Sequence, residues 1–541
     1  MIICGPMRLQ YFSHSDAPSE FKLAPIEGRL LIGGQIYKDG FDRKTVRTPC
    51  WFEGTSEGQA APILGTTPNV NQQWFAKAVN ASSNAWAKGT GVWPSARMED
   101  RILAVTNFRN KMVTKRNEVA KMLMWEIAKP WTEAQAEFDR TITYIDDTIE
   151  AAKQLDREGS RIQFAGGMMA QVRRAPLGVT LVIGPFNYPL NETFTTLIPA
   201  LIVGNVAVVK APRFGQLFWD YLLEAFQECF PPGVVNIVNG LGRSIIAPSI
   251  QSGEIDALAL IGSSAVANTI KQQHPRPNSF RGILGLDAKN PAIVLPEVDL
   301  ELAATECAKG ALSFNGQRCT ALKMIFVHKS RSKQFTNILL EKVARLKAGL
   351  PWEQGVSITP LPDPKKPSEL RALMDEALSL GAKLCNPETG GKTFGTLMLP
   401  AVLDQVPLSA KLANVEQFGP IIPITEFESD DELENYMMAS PFGMQASLFG
   451  DDANHLGKLI DFLSNQVCRI NLNSQCQRGP DVFPFTGRKA SAEGTLSVTD
   501  ALRCFSIRSM VAAKQDTEGK RVFRAVLESE ESKFLSTHIV L

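Results

Sequence analysis

The chain has 541 residues, of which 44% are hydrophobic and 21% are charged, and its formal net charge is +1. This length supports two or more domains, and the near-zero charge argues against a nucleic-acid binder, which would need a basic stripe. Nine cysteines without a CxxC pair, and only five histidines, argue against a disulfide scaffold or a metal site. No segment resembles a signal peptide or a membrane span, so we expect a cytoplasmic protein that binds no membrane.

The first part of the chain carries few periodic signals. Residues 1–60 are rich in turn-forming residues, so we expect an irregular N-terminal wrap. From about 61 to 155 the apolar residues recur at helical spacing, which predicts a helical region. Gly166 and Gly167 then separate two short segments, which predicts a β-hairpin within 160–176.

From Gly178 onward, apolar β-branched runs alternate with helical segments. The predicted strands are 179–184, 206–210, 234–238 and 257–261, with helices at 195–203 and 217–230. Such alternation predicts a parallel sheet with right-handed crossovers, whose ligands bind beyond the carboxyl ends of the strands. Residues 292–487 repeat the alternation and predict a second domain.

One cysteine, Cys319, lies in a polar, glycine-containing stretch beside Arg318. A thiol attacks as the thiolate, and a nearby cation or a helix N-terminus lowers its pKa towards that form. Gly316 lets the backbone approach a ligand closely, and Arg318 can also hold an anionic substrate. A cysteine taken alone is more often a buried structural residue, so the nucleophile interpretation depends on the motifs around it.

Seven short motifs follow one another along the chain. They are Gly184-Pro185-Phe186-Asn187-Tyr188-Pro189, Gly204-Asn205 through Val209-Lys210, Gly240-Leu241-Gly242, Gly262-Ser263-Ser264, Lys289-Asn290-Pro291, Gly316-Gln317-Arg318-Cys319 and Glu416-Gln417-Phe418-Gly419-Pro420. In this order and spacing, from about 140 to 510, the chain resembles the aldehyde dehydrogenase superfamily.

The resemblance implies an α/β fold with two doubly wound parallel-sheet domains and a β-hairpin for oligomerisation, as a homodimer or homotetramer. It divides the chain into a dinucleotide-binding domain, a catalytic domain, and an oligomerisation hairpin with a C-terminal arm. The respective ranges are 1–159 with 177–286, 287–487, and 160–176 with 488–541.

The resemblance also assigns the catalytic residues. Cys319 would attack the aldehyde, and the side-chain amide of Asn187 with the backbone N–H of Cys319 would stabilise the resulting oxyanion. A thiohemiacetal and then a thioester would form on Cys319 during irreversible oxidation to the acid.

The cofactor is expected to be NADP, with NAD possible. The cofactor-binding residues implied by the resemblance are Lys210, Arg213, Gly240, Gly242, Ser263, Glu416 and Phe418. Lys210 would bind the adenine ribose, and Ser263 would contact the pyrophosphate at a helix start. NAD-preferring relatives often carry glutamate at the position of Arg213, whereas arginine is a natural partner for a 2′-phosphate.

The substrate is expected to be an anionic aldehyde, with glyceraldehyde 3-phosphate the leading candidate. The motif around Cys319 and the segment 477–485 resemble the non-phosphorylating glyceraldehyde-3-phosphate dehydrogenase branch. In that branch, two arginines at the positions of Arg318 and Arg478 hold the substrate phosphate, and a tyrosine at the position of Tyr188 assists them. Arg140 matches a third arginine of the branch less closely. Converging guanidinium groups are costly to bury without an anion; the alternative is that each forms an ordinary ion pair.

One family feature is missing. The glutamate that activates the deacylating water falls at Gly285, although general-base assistance is worth about 10²–10⁴-fold. Asp287 could replace it, since residues two apart on a strand share a face, or another acid could serve. Otherwise the thioester passes to coenzyme A, or the protein binds NADP and aldehyde with little turnover in a sensing or structural role. Ile246 also replaces the third glycine expected after Gly242.

Overall fold

The computed structural model describes residues 17–50 and 61–540. Its larger sheet contains eight strands in the described part of the chain. Across the sheet they are Ala492–Glu493, Arg281–Gly285, Ala257–Ile261, Val179–Ile183, Val206–Lys210, Val235–Val238, Leu30–Ile32 and Gln35–Tyr37. The strands from Arg281–Gly285 to Val235–Val238 are mutually parallel, whereas the outer ones pair antiparallel.

The central strands of this sheet are covered on both faces. Every residue of Val206–Lys210 and of Ala257–Ile261 is buried, as expected for parallel strands with helices on each side. Strand order reverses between Val179–Ile183 and Ala257–Ile261. In a doubly wound sheet, such a reversal opens a crevice at the carboxyl ends of the two strands.

A second sheet contains seven strands among the described residues. In order they are Lys383–Leu384, Ala401–Asp404, Ile421–Phe427, Leu322–His328, Asn290–Val294, Gln445–Phe449 and Arg469–Leu472. All neighbours are parallel except the antiparallel outermost pair at Lys383–Leu384. The predicted fold class, with two parallel-sheet domains, is confirmed.

The predicted hairpin is also present, as the strands Ile162–Ala165 and Met168–Pro176. Its second strand pairs antiparallel with Ser506–Lys514 from the C-terminal region, giving a three-stranded sheet. Its role in oligomerisation stays a prediction.

Shorter strands complete the β-structure. They are Ile26–Glu27, Asp42–Arg47 and Ile63–Asn69 in one sheet, and the pairs Lys347–Ala348 with Val356–Ile358, Thr393–Phe394 with Leu397–Met398, and Phe442–Gly443 with Arg488–Lys489.

The α-helices lie on both faces of the two large sheets and between them. Their bounds are Gln72–Trp86, Met98–Val113, Arg116–Ile127, Trp131–Gly159, Asn191–Ile202, Leu223–Cys229, Gly242–Ile245, Ala247–Gln251, Ser264–Gln273, Leu300–Leu312, Ser332–Ala344, Lys366–Ser379, Lys411–Asn414, Asp430–Ala439, Ala453–Leu463, Val498–Cys504 and Thr517–Ser529. Across the ranges that the structure covers, none combines the length and the apolar character needed to cross a membrane.

The prediction of an irregular N-terminal wrap is wrong for residues 17–50. Leu30–Ile32 and Gln35–Tyr37 form a hairpin that extends the eight-stranded sheet, and each has only three residues. A strand this short shows no recognisable alternation. The rest of the predicted wrap, 1–16 and 51–60, lies outside the described residues.

Three further boundaries differ from the predictions. Ile63–Asn69 is a strand within the region predicted to be helical. The helix predicted over 217–230 is divided into a 3₁₀ turn at Leu217–Tyr221 and an α-helix at Leu223–Cys229. The C-terminal region is more than an arm, because Ala492–Glu493 joins the edge of the larger sheet.

Candidate active site

A cleft of about 960 Å³ lies where the predicted crevice opens. Its walls include Ile183, Lys210, Ile261 and Gly285, which are the last residues of four parallel strands of the larger sheet. Cys319 reaches the same cleft from the other sheet's side. The carboxyl ends of one sheet and the cysteine loop of the other therefore share one cavity.

Most of the predicted site residues line this cleft. They are Arg140, Asn187, Tyr188, Lys210, Arg213, Ser263, Arg318, Cys319, Glu416, Phe418 and Arg478. Gly240 and Gly242 are not among its lining residues, but they form the turn after Val235–Val238. A Cβ on Gly242 would lie 3.7 Å from Cε of Lys210 and 3.3 Å from Cδ1 of Ile246, so this turn sits directly behind the lysine.

The loop before Cys319 has an unusual backbone. Phe314, Asn315 and Gly316 have φ angles of 46°, 57° and 69°, all in the left-handed region. Asn315 holds this shape, since its side chain accepts from the backbone N–H of Thr359 at 2.9 Å and donates to the Thr359 carbonyl at 3.0 Å. A Cβ on Gly316 would lie 2.7 Å from two backbone carbonyl oxygens, so only glycine fits there.

The Cys319 thiol is not activated in the way that the sequence suggested. Burial raises its pKa to about 11, with a further upward contribution from Glu192, and these outweigh the lowering effects of Lys323 and Arg478. Arg318 is not among the main charges acting on the thiol. The cysteine also follows a 3₁₀ turn rather than beginning an α-helix. The structure therefore contradicts the expectation that a nearby cation or a helix N-terminus lowers this pKa.

This raised pKa predicts the pH dependence of alkylation. Below its pKa a thiol gains about tenfold in thiolate per pH unit, so iodoacetamide modification of Cys319 should keep rising from pH 7 to about pH 10. Peptide mass spectrometry at several pH values measures the rate, with the exposed Cys468 as an internal reference. A plateau for Cys319 below pH 8 would contradict the assignment.

A buried ion pair fixes the loop that carries Asn187. Lys129 is fully buried, pairs with Glu137, and donates from Nζ to the Asn187 carbonyl oxygen at 2.7 Å. Glu137 Oε1 in turn accepts from the backbone N–H groups of Leu190 and Asn191 at 3.0 and 3.1 Å. The side-chain amide of Asn187 donates to the carbonyl oxygen of Gln317 at 2.7 Å, next to the cysteine loop.

Lys129 and Glu137 are functional positions that the sequence reasoning missed. Glu137 lies on the buried face of the helix Trp131–Gly159, together with Ala134, Phe138 and Thr141. A charged residue at helical spacing within an apolar face was the available signal, because a buried carboxylate needs a partner.

Two of the three predicted substrate arginines are neutralised by the protein. Arg140 forms a two-pronged ion pair with Asp481, at 2.8 Å from Nε and 2.7 Å from Nη2. Arg478 pairs with Glu192 and, at 3.2 Å, with Asp481. The argument that these guanidinium groups need an external anion is therefore wrong for Arg140 and Arg478.

Arg318 has different surroundings. Its Nη2 donates to the Gly310 carbonyl at 3.3 Å and to Gln475 Oε1 at 3.2 Å, but within the described ranges it forms no ion pair. Its Nε is buried without an acceptor, and so is Nε2 of the neighbouring Gln317, which also lines the cleft. Both residues line the cleft beside Cys319.

The other end of the cleft carries two cations. Lys210 is buried, and burial together with the nearby Lys44 lowers its pKa to about 8. Arg213 is 54% exposed, lies over the Phe214 ring, and approaches Asp363 only to 3.5 Å. Both side chains can therefore turn their charge towards a phosphate.

Glu416 is held by a lysine that the sequence reasoning did not single out. Lys323 Nζ lies 2.6 Å from Glu416 Oε1 and donates to the Cys319 carbonyl oxygen at 2.8 Å. Burial raises the pKa of Glu416. Phe418 adopts φ 48°, a strained angle for a bulky residue, and its ring lies 5.8 Å from that of Phe186. Lys323 thus links the cysteine loop to the predicted nicotinamide site.

Asp287, which the sequence offered as a replacement for the family glutamate, lines the cleft but is hydrogen-bonded to a helix start. The strand ends at Gly285, so the strand rule that would put both residues on one face does not extend to Asp287. Its Oδ2 accepts from the backbone N–H and from the hydroxyl of Ser264, each at 2.7 Å. This carboxylate therefore occupies the start of the helix Ser264–Gln273, beside Ser263, where the pyrophosphate was expected.

The carboxylates that line the cleft all have partners. The pairs are Glu192 with Arg478, Asp287 with Ser264, Asp363 with Arg213, Glu369 with Lys366, and Glu416 with Lys323. None is a free general base in this arrangement. No group of potential metal ligands occurs within 17–50 and 61–540.

Comparison with known proteins identifies the family. A family model described as "Aldehyde dehydrogenase family" matches residues 57–511. The chain belongs to the aldehyde dehydrogenase family.

Individual relatives of this aldehyde dehydrogenase agree with that placement. An NADP-dependent glyceraldehyde-3-phosphate dehydrogenase of Streptococcus equinus is 32% identical over 457 residues, covering 83% of this chain and 92% of the relative. A 3-sulfolactaldehyde dehydrogenase of Priestia aryabhattai is 29% identical over 444 residues, covering 81% and 89%. The structure of an NADP-dependent glyceraldehyde-3-phosphate dehydrogenase from Bacillus halodurans C-125, complexed with NADP, matches with a TM-score of 0.82 and 28% identity, covering 91% of this chain and all of that one.

Proposed function

We propose that the protein oxidises a small anionic aldehyde to its carboxylic acid, with NADP as cofactor, Cys319 as nucleophile and glyceraldehyde 3-phosphate as the leading substrate. The observation that carries the proposal is the pair of buried donors beside Cys319, on Gln317 and Arg318, which have no acceptor among the residues that the structure describes. Unpaired buried donors cost free energy. An oxygen-bearing, negatively charged ligand would satisfy both.

The charge balance of the pocket favours an anion at Arg318. Glu192 and Asp481 neutralise Arg478 and Arg140, whereas Arg318 forms no ion pair among the described residues and interacts with the buried Glu133 carboxylate only through space. The named substrates of the relatives from Streptococcus equinus and Priestia aryabhattai, glyceraldehyde 3-phosphate and 3-sulfolactaldehyde, are both aldehydes with an anionic group. Arg140 and Arg478, held in ion pairs, then shape the pocket as lining residues, and Tyr188 lines it as well.

The chemistry begins at sulfur. The Cys319 thiolate attacks the carbonyl carbon, a C–S bond forms, and the carbonyl electron pair moves to oxygen. The Asn187 amide and the Cys319 backbone N–H are the donors we assign to this oxyanion. NADP would supply the hydride acceptor for this oxidation. The product on the enzyme is a Cys319 thioester, which water or another acceptor must remove.

Lys210 and Arg213 line the cleft and suit the phosphate groups of NADP, whereas the Asp287 carboxylate would have to leave the Ser264 N–H before the pyrophosphate could bind there. Gly242 lies beside the Lys210 side chain, where an added Cβ would be in ordinary van der Waals contact, 3.8 Å from Nζ. We assign Lys210 to the adenine ribose, Arg213 to the 2′-phosphate and Ser263 to the pyrophosphate. Glu416 and Phe418 would hold the nicotinamide ribose and ring. Gly240 and Gly242 shape the turn behind Lys210.

The substrate assignment predicts different effects for two arginines. Arg318→Gln should lower kcat/KM for glyceraldehyde 3-phosphate by about 10–100-fold, because a charged hydrogen bond is worth about 1.5–3 kcal/mol. With uncharged glyceraldehyde the loss should be much smaller. Arg140→Gln is the matched control and should cost less with the phosphorylated aldehyde, since Asp481 already neutralises Arg140.

Steady-state assays of NADPH formation, combined with intact-mass analysis for an adduct on Cys319, test this. Equal losses with the charged and uncharged aldehydes in Arg318→Gln would refute the anion site. The absence of an adduct with every aldehyde tried would refute the enzymatic proposal itself.

Cofactor choice gives a separate prediction. Arg213→Glu should reverse the ratio of kcat/KM values for NADP and NAD, because a carboxylate repels the 2′-phosphate and accepts from a free 2′-hydroxyl. We expect about a 10–100-fold loss with NADP and a smaller change with NAD. Arg213→Gln removes the positive charge without adding a negative one, so it shows how much of the change in the ratio comes from loss of the cation alone. An unchanged ratio in Arg213→Glu would contradict the assignment.

A further inference from the structure

A second cavity, of about 370 Å³, lies away from the dinucleotide cleft and shares no lining residue with it. It is bounded by the start of the helix Met98–Val113, the end of the helix Trp131–Gly159 and the strand Met168–Pro176. Residues 532–534 of the C-terminal region close one side. That segment lies beyond the part of the chain that matches the family model, which ends at residue 511.

The cavity has a strongly positive lining. Its cationic side chains are Arg97, Arg101, Arg173, Arg174 and Lys533, and its single acid is Asp156. Asp156 uses both oxygens within the protein, accepting from Arg173 Nη1 at 2.8 Å and from the Val540 backbone N–H at 3.2 Å. It therefore compensates Arg173, and the four other cations form no ion pair in the described part of the chain.

Two of these arginines are buried in a way that favours an added anion. Arg101 is only 6% exposed and donates to the carbonyl oxygens of Ile202 and Ala96, each at 2.7 Å, rather than to a carboxylate. Burial lowers its pKa to about 10, and the nearby carboxylates of Asp156 and Asp100 offset this only in part. Nε of Arg173 is buried without an acceptor. Because the cationic side chains of this lining outnumber its one acid, an anion bound here would be stabilising.

Apolar side chains occupy the rest of the wall, including Leu155, Leu502 and Phe534. A site that joins guanidinium groups to apolar surface suits a ligand with a phosphate at one end and carbon at the other. We propose that this cavity binds a small organic phosphate, with Arg97, Arg101, Arg173, Arg174 and Lys533 around the phosphate and Phe534 against the organic part. The proposal is independent of the proposed function, because the two cavities share no residue.

The test uses the full-length protein, saturated with NADP, titrated calorimetrically with phenyl phosphate. The informative variant is Arg97→Gln/Lys533→Gln, because neither side chain forms an ion pair within the described residues. We expect wild-type binding and a loss of affinity of about tenfold or more in this variant, as two cations are removed. Lys520→Gln, an exposed lysine on the helix Thr517–Ser529 that does not line the cavity, is the matched control and should bind as the wild type does.

Two cleft variants separate this site from the catalytic one. Binding should persist in Arg318→Gln and in Arg213→Gln. If it disappears in either, the phenyl phosphate binds in the cleft and the proposal is wrong. It is equally wrong if the wild type shows no binding, or if Arg97→Gln/Lys533→Gln binds as well as Lys520→Gln. Benzyl alcohol, which lacks the phosphate, should not bind.

Discussion

Gly285→Glu combined with Leu496→Ala is expected to raise the steady-state rate of NADPH formation, by up to about 10²–10⁴-fold if hydrolysis of the thioester limits turnover. The substitution places a carboxylate at the position to which the sequence resemblance assigns the general base. The second change is needed because a Cβ on Gly285 would lie 3.1 Å from Cδ1 of Leu496. Since every acid lining the cleft is already paired, the wild-type protein should deacylate slowly.

Gly285→Gln/Leu496→Ala is the matched control, because its amide has nearly the same shape and cannot take a proton. Stopped-flow measurement should show a burst of NADPH equal to the enzyme concentration, followed by a slow phase that only the glutamate variant accelerates. If coenzyme A accelerates the wild-type slow phase instead, and the glutamate variant does not, acyl transfer is the reaction. An unaltered slow phase in both tests would contradict rate-limiting deacylation.

Lys129→Met is expected to be among the most destabilising single substitutions in the chain. It leaves the fully buried Glu137 without its counter-charge, and breaking a buried ion pair costs about 3–5 kcal/mol. Because Lys129 also donates to the Asn187 carbonyl, the loop bearing Asn187 should be displaced as well. We therefore expect a large fall in the thermal midpoint and in kcat/KM.

Lys129→Met/Glu137→Gln tests the electrostatic cause. The glutamine removes the uncompensated charge but keeps an oxygen that can accept from the backbone N–H groups of Leu190 and Asn191. The double variant should regain a substantial part of the lost stability in differential scanning calorimetry. If it is as unstable as Lys129→Met, loss of packing rather than an unpaired charge explains the effect.

The parts of the fold that were predicted correctly are those with a long local signal. Strands such as Val206–Lys210 are continuous β-branched runs, because parallel strands are buried on both faces. The short strands Leu30–Ile32 and Gln35–Tyr37 are stabilised by pairing with each other and with Val235–Val238, about 200 residues later. Such long-range pairing leaves no periodic trace in the segment itself.

The candidate site shows the same limit. Residue types and spacing indicated which side chains line the cleft, including Cys319 and Arg318. They did not indicate that Asp481, 341 residues from Arg140, neutralises that arginine, or that burial dominates the pKa of Cys319. Ion-pair partners and desolvation depend on the assembled structure, so both were beyond a reading of local sequence.

The clamp formed by Lys129 and Glu137 has a consequence for ligand binding. Lys129 and Glu137 hold the backbone from Asn187 to Asn191 through hydrogen bonds that need no ligand. This segment is therefore already ordered before an aldehyde binds. The loss of conformational entropy that accompanies its ordering occurs during folding and does not weaken binding. More of the contact energy is then left for affinity.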